Sequence, residues 1–285
     1  MMEYKCGLNV VFDDIYEAFT SGFSDYIIKF SLIKDDFKDR FFGPEGNSLD
    51  NTFVAYDGKK PIGVILGGIK EFDGVKTMRC GALAVRPEYR KMGVAQKLFE
   101  IHKEQAILNG CKQLFLEVIA GNDRAINFYK KQGYEKVYNL SYFRLEDVSK
   151  LSKKVNEAIL IKQIDYSEFE NFYKTIKGVH INWQNDIEYI KNSNNNTYFA
   201  AYTKGNSLLI GVLCINNLGK ISFIWVENDY RCKGIASSVI SFAVKELSLS
   251  KLFISFPNNS LLEGFLKKVG FMKDKISQYE MFLYL

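Results

Sequence analysis

Two stretches of this 285-residue chain carry the same residue types in the same order. The first runs Ala82-Leu-Ala-Val85-Arg-Pro-Glu-Tyr-Arg90-Lys-Met-Gly93-Val-Ala95, the second Phe223-Ile-Trp-Val226-Glu-Asn-Asp-Tyr-Arg231-Cys-Lys-Gly234-Ile-Ala236. Val85, Arg90, Gly93 and Ala95 map onto Val226, Arg231, Gly234 and Ala236 at one offset of 141. Downstream, Asn122, Tyr129 and Gly133 map onto Asn259, Leu266 and Gly270 at an offset of 137. Ordered landmarks at constant offsets mark an internal duplication, which constrains the fold more than length does. Whatever the first half folds into, the second half must fold into as well.

Each copy reads as a helical region, a hairpin, a strand, a helix, a strand, a helix and terminal strands, a mixed α/β order. In the first, Ile15, Phe19, Phe23 and Ile27 recur at helical spacing between Asp14 and Phe30. Thr52–Tyr56 and Pro61–Ile69, joined by Asp57-Gly58, predict a hairpin with a type I′ turn. Thr197–Tyr202 and Leu208–Ile215, with Gly205-Asn206 between, repeat it. Leu114–Val118 and Leu252–Phe256 are apolar runs of buried-strand length, each following an amphipathic helix. The lysine-rich stretch 148–157 predicts a linker, giving domains 1–147 and 158–285.

Composition excludes several classes. With 47% hydrophobic and 25% charged residues the chain can bury a core and is not a disordered or coiled-coil protein. No apolar run reaches the eighteen or so residues that span a bilayer, and the acidic start does not read as a signal peptide. No membrane association and a cytoplasmic location are therefore expected. The odd count of 5 cysteines, with no Cys-x-x-Cys pair, reads as free thiols, and 2 histidines cannot make a three-histidine metal site. No metal is expected. A net charge of +5 is too small to argue for nucleic acid. Any bound anion must be held by a local arrangement.

Such an arrangement is offered at Arg90-Lys91-Met92-Gly93-Val94-Ala95-Gln96. A helix starting there leaves its first N–H groups unpaired and its positive dipole end outward. The small residues let an anion approach the backbone, and Arg90 and Lys91 add charge, as a pyrophosphate cradle requires. A plain helix start that tolerates glycine fits one copy equally well. Neither a Walker A loop nor a Gly-x-Gly-x-x-Gly fingerprint is present.

The turn Val85-Arg-Pro-Glu-Tyr-Arg90-x-x-Gly93-x-Ala95, taken with Asn122 and Asn127-Phe-Tyr129-Lys-Lys-Gln-Gly133-Tyr, resembles the GNAT superfamily of acetyl-CoA-dependent N-acetyltransferases. The first half is similar to the ribosomal-protein N-terminal acetyltransferases. The tandem arrangement resembles mycothiol synthase, in which one copy is catalytic. The resemblance implies a mixed α+β fold in two tandem domains, each a mostly antiparallel sheet whose central parallel strands splay, flanked by helices. It implies acetyl-CoA as co-substrate, lying in the gap along Leu83, Ala84 and Val85. The N–H groups from Arg90 to Gln96 would then hold the pyrophosphate, and Asn122 would reach the pantetheine amides.

Direct acetyl transfer to an amine poses two proton problems, since the amine arrives protonated and the CoA thiolate must leave protonated. Tyr129 occupies the family's position for the acid. A phenol, with an ordinary pKa of about 10, is neutral and able to donate; Tyr129 also reads as a half-buried helix aromatic. Glu117 sits among Leu114-Phe-Leu and Val118-Ile, where a lone carboxylate is costly to bury. It reads as a general base, as the family places one twelve residues before the tyrosine, or as a structural salt-bridge partner. Glu71 and Asp73 are alternative bases acting through water. Ser255 and Leu266 replace the pair in the second copy, which is therefore expected to be silent. The acceptor expected is a small-molecule or peptide amine, walled by residues 31–48, and the assembly a monomer or homodimer. A CoA-binding sensor or scaffold without turnover is the alternative.

Overall fold

The computed structural model describes residues 2–28, 32–151, 156–205 and 207–285. Residues 29–31 at the end of the first helical pattern, the core of the expected linker (152–155) and Asn206 of the second hairpin turn lie outside the described residues. By contacts the chain divides into two compact units, Met1–Tyr138 with Gln278–Leu285, and Asn139–Ser277. The boundaries read from the repeat, 1–147 and 158–285, differ from these units at the terminal strands: residues 139–147 belong to the second unit and 278–285 to the first.

In the first unit the strands β1 (Met2–Cys6), β2 (Ser48–Asp57), β3 (Lys60–Phe72), β4 (Val75–Val85) and β5 (Gln113–Ile119) lie side by side in that order. All neighbours are antiparallel except β4 and β5. The end of the chain's last strand (Met272–Tyr284) closes this row, Gln278–Tyr284 pairing antiparallel with β5. Side chains alternate across the sheet. Val54, Tyr56, Val64, Leu66, Ala82 and Ala84 pack on one face with Ile15 and Phe19 of α1 (Phe12–Gly22) and Phe37 of α2 (Lys34–Phe41). Phe53, Ala55, Ile65, Met78, Leu114, Leu116 and Val118 pack on the other with α3 (Val94–Leu108) and α4 (Asp123–Lys131).

Two local differences from the sequence pattern have physical causes. The spacing of Ile15, Phe19, Phe23 and Ile27 predicts a helix to residue 30, but α1 stops at Gly22, with the Phe23 N–H donating to the Phe19 carbonyl. Gly22 lies so close to β4 that a Cβ there would meet the Ala84 Cβ at 2.7 Å, and Ile27 is exposed. The first hairpin turns on Gly58-Lys59 rather than Asp57-Gly58, because Asp57 pairs with Lys60; Gly58 takes the left-handed conformation (φ 58°).

The second unit repeats the plan. It contains the distal part of β6 (Glu135–Leu145), then β7 (Ile159–Ile164), α5 (Tyr166–Tyr173), α6 (Ile187–Asn192), β8 (Asn196–Thr203), β9 (Leu209–Asn216) and β10 (Lys220–Val226). α7 (Ile235–Glu246), β11 (Leu252–Pro257), α8 (Ser260–Lys268) and the first part of β12, the Met272–Tyr284 strand, complete it. Its strands run β6-β11-β10-β9-β8-β7, with β10 and β11 parallel. Among the described residues no helix is long and apolar enough to cross a membrane.

Candidate active site

The parallel neighbours β4 and β5 pair only at their beginnings, Thr77–Arg79 against Gln113–Phe115. Beyond Arg79 the register of β4 against β3 shifts between Ala82 and Cys80, which leaves Gly81 as the extra residue of a bulge. A gap opens from this point toward the end of β4. The Arg86 N–H donates to the Ile62 carbonyl at 2.9 Å. Antiparallel ladders alternate, so Ala84 is bonded to β3 while the amides of Leu83 and Val85 face the gap.

The turn that follows β4 is held by side chain to backbone bonds. Arg90 donates from Nε to the Val85 carbonyl (3.1 Å) and from Nη2 to the Gly22 carbonyl (3.0 Å), and its guanidinium forms an ion pair with Asp25. Its charge thus braces the turn and draws the Asp25 pKa down to about 2 through that hydrogen bond. Lys91 (φ 64°) and Gly93 (φ 84°) both adopt the left-handed conformation. Gly93 is the N-cap of α3 with no side-chain capping bond, and a Cβ on it would meet nothing within 4 Å. Met92 is exposed, the Val94 side chain points into the core, and Gln96 is bonded to Gln132 and Glu100. What Met92, Val94 and Ala95 can offer a ligand is therefore backbone N–H and open approach.

Asn122 has a structural duty: it caps α4, accepting from the Ala125 N–H at 3.3 Å. Asn259 caps α8 in the same way through the Leu262 N–H (3.0 Å). Helix capping therefore accounts for this landmark in both copies.

Tyr129 is 8% exposed and packs with Leu116 and Val118 on the α3–α4 face. Its phenol interacts with the thiol of Cys80, the first β4 residue past the paired segment, and burial raises its pKa well above 10. Burial likewise pushes the Cys80 thiol up to about 12. Both groups are neutral across the physiological range. Glu117, alternating with Leu116 and Val118, points to the opposite face, with its side chain only 2% exposed. Arg79 donates to Glu117 Oε2 (2.6 Å) and to Glu45 Oε2 (2.6 Å). The other Glu117 oxygen, Oε1, is buried without a hydrogen-bond partner. Burial raises the Glu117 pKa to about 7; Arg79 opposes the rise, and the charges of Glu280 and Glu45 add to it. A phenol and a carboxyl group thus stand on opposite faces of the sheet where β4 and β5 part.

Glu71 and Asp73 lie exposed near the tip of the β3–β4 hairpin, where Glu71 pairs across with Lys76. Of the segment expected to wall the acceptor, Phe37 and Phe41 are core residues packed on the sheet, and its end carries two polar side chains to the same face. Glu45 binds Arg79, and Asn47, 4% exposed, lies over Gly81, where its Oδ1 has no hydrogen-bond partner. Glu45, Arg79 and Glu280 escape the motif reading because they belong to no repeated landmark. Arg79 and Glu280 carry the signal that singles out Glu117, a charge inside an apolar strand.

The second copy keeps the backbone features of this region and differs at the two side chains, with Ser255 and Leu266 at the positions of Glu117 and Tyr129. Cys232 (φ 61°) and Gly234 (φ 78°) reproduce the turn, Arg231 Nε donates to the Val226 carbonyl at 2.9 Å, and Glu227 N–H donates to the Ile210 carbonyl at 2.9 Å. Ser255 accepts from Asn185 Nδ2 at its carbonyl (2.7 Å), with the hydroxyl at 3.2 Å, and Leu266 is a core residue. Among the described residues no group of three or more His, Cys, Asp or Glu is placed to hold a metal.

Comparison with known proteins gives a consistent family signal. The model of the acetyltransferase (GNAT) family matches residues 12–134 and again 161–271. N-alpha-acetyltransferase 30 of Saccharomyces cerevisiae is 29% identical over 102 residues, which are 34% of this chain and 58% of that protein. An acetyltransferase of Sodalis glossinidius is 35% identical over 89 residues, 30% of this chain and likewise 58% of its own length. The chain thus spans little more than half the length of these relatives. A tandem GNAT protein from the clavulanic acid biosynthesis pathway superimposes with a TM-score of 0.73 at 13% identity, covering 100% of this chain and 98% of the other. That likeness concerns the fold.

Proposed function

The chain belongs to the acetyltransferase (GNAT) family, and we propose that its N-terminal copy transfers an acetyl group from acetyl-CoA to a primary amine by direct attack. The observation that carries this is the pair Tyr129 and Glu117, set on opposite faces of the sheet at the point where β4 and β5 part. The residues present fit the co-substrate: the unpaired amides of Leu83 and Val85 line the gap, and the uncapped start of α3 lies at its open end. Acetyl-CoA supplies the activated thioester. Leu83 and Val85 bind its pantetheine arm as an added strand would, and the Val85 N–H polarises the thioester carbonyl. The backbone N–H groups of Met92, Gly93, Val94, Ala95 and Gln96, with Lys91, hold the pyrophosphate. Arg90 serves by holding the turn in shape, and Asn122 by capping α4 beside the arm.

Glu117 takes the proton that the acceptor ammonium must lose before attack. Its raised pKa suits this task, since a base works best near the operating pH. Tyr129, neutral at every relevant pH, donates its proton to the departing thiolate. A peptide N-terminus or a lysine-like side chain both satisfy this chemistry. The likeness to an N-alpha-acetyltransferase favours the former. The test is a screen of amines, peptide N-termini included, following release of free thiol from acetyl-CoA. Amine-dependent thiol release supports the reading. None with any amine, although acetyl-CoA binds, would favour a CoA-binding protein without turnover.

A further inference from the structure

Glu280 lies directly opposite Glu117 in the antiparallel register of β12 and β5, and it is 0% exposed. Directly opposed side chains share a face, and like charges there repel. Several elements of the first unit bring charged or titratable groups to this region. Arg79 comes from β4, Glu45 from the segment after α2, and Lys70, 9% exposed, from β3, with its ammonium 5.6 Å from the centre of the Phe72 ring. Tyr138 of β6 feels the charges of Asp73 and Glu280, and its phenol is raised mainly by burial. Below this group, Phe115, Phe72 and Phe282 pack ring to ring at 5.0 Å or more, which keeps water from the floor of the site.

The buried set thus includes the carboxylates of Glu45, Glu117 and Glu280 and the cations of Arg79 and Lys70. Carboxylates crowded together out of water resist full ionisation, so a proton stays where one of them can take it. Glu117 Oε1 can, because Arg79 occupies only Oε2.

Resting on the acetyl-transfer reading above, we propose that Glu280 is a positioning residue of the N-terminal site. It stands opposite Glu117 and makes Oε1 basic enough to take the acceptor's proton. The acceptor N–H bond breaks, an O–H bond forms at Glu117 Oε1, and the nitrogen keeps the electron pair with which it attacks. Without Glu280, burial would still oppose the Arg79 guanidinium, but Oε1 would be a weaker base. The last strand of the second repeat thereby equips the site of the first, a dependence that the repeat does not announce.

The test uses the full chain labelled with 13C at the glutamate carboxyl, titrated by NMR as the wild type, E117Q and E280Q, with neither acetyl-CoA nor acceptor. In the wild type one carboxyl should titrate near pH 7 and be missing from E117Q. In E280Q it should move down by about one pH unit or more, and the acid limb of kcat/KM should move with it. A Glu117 signal that stays put in E280Q overturns the proposal. So does a wild type in which no carboxyl titrates above pH 6, which decides the matter even if E280Q does not fold. Since this titration needs no turnover, the predicted shift without any amine-dependent thiol release would leave the Glu117–Glu280 coupling standing and remove the acetyl-transfer reading.

Discussion

A carboxylate placed in an apolar strand must find a partner or keep its proton, and Glu117 does both. The salt bridge to Arg79 and the raised proton affinity coexist because burial penalises the charged form, and because Glu280 and Glu45, which shares Arg79, add to the rise. His102 shows the same physics without a partner: it is 0% exposed in α3, neither ring nitrogen is hydrogen-bonded, and burial depresses its pKa from 6.5 to about 3. The folded state binds this proton less well than the unfolded one. The contribution of neutral His102 is therefore intact above pH 6.5 and is lost as pH falls toward 3, at roughly 1.4 kcal/mol per pH unit. Replacing His102 by Leu should flatten the fall in the urea midpoint between pH 6.5 and 4.5; an unchanged slope would show that other groups drive acid sensitivity. At this scale Glu117 and Tyr129 were legible, one from its apolar neighbours and the other from its place after Asn122. What Glu45 and Glu280 face was not: Glu45 lies outside the strands, and although Glu280 is a charge in an apolar strand, its place opposite Glu117 needs the register, which no spacing in one strand supplies.

The turn between β4 and α3 is the element that the repeat reveals best. Gly93 and Gly234 take the same left-handed conformation, which is why glycine recurs there while the neighbouring residues vary. A Cβ at Gly93 would point into open space, so Gly93→Val meets no clash in the fold. It should cost about 1–2 kcal/mol for the left-handed backbone, and it would obstruct an approaching anion. The variant should fold yet bind acetyl-CoA at least tenfold more weakly in calorimetry; unchanged affinity would move the pyrophosphate elsewhere. The strands that end each repeat were less legible. Both end in an apolar-rich stretch, residues 140–145 and 281–284, so either copy's final strand suits the same place in a sheet, and pattern alone cannot say which partner it takes. Gln278–Tyr284 pairs with β5, with Met281 and Phe282 buried in the first unit. Deleting residues 278–285 should therefore unfold the N-terminal unit, seen as loss of its dispersed amide signals; a truncated chain with those signals intact would contradict the assignment of this strand.

Across the whole molecule, one fold is written twice and its parts have diverged unevenly. The backbone devices survive in both copies: the short parallel pairing, the left-handed turn, the arginine on the preceding strand's carbonyl. The two side chains proposed to handle protons stand in one. Tyr129 and Glu117 give way to Leu266, packed in the core, and Ser255, held by the Asn185 amide. Backbone geometry persists under side-chain change more readily than a proton relay does, since a relay depends on each of its atoms. The central claim is that the first copy carries the chemistry and the second does not. The direct measurement is amine-dependent thiol release by the full chain as wild type, Tyr129→Phe and Gly234→Val. The rate should fall by about a hundredfold or more in Tyr129→Phe and stay within about threefold in Gly234→Val. A Tyr129→Phe enzyme as fast as wild type, or a Gly234→Val enzyme that is dead while folded, would contradict it.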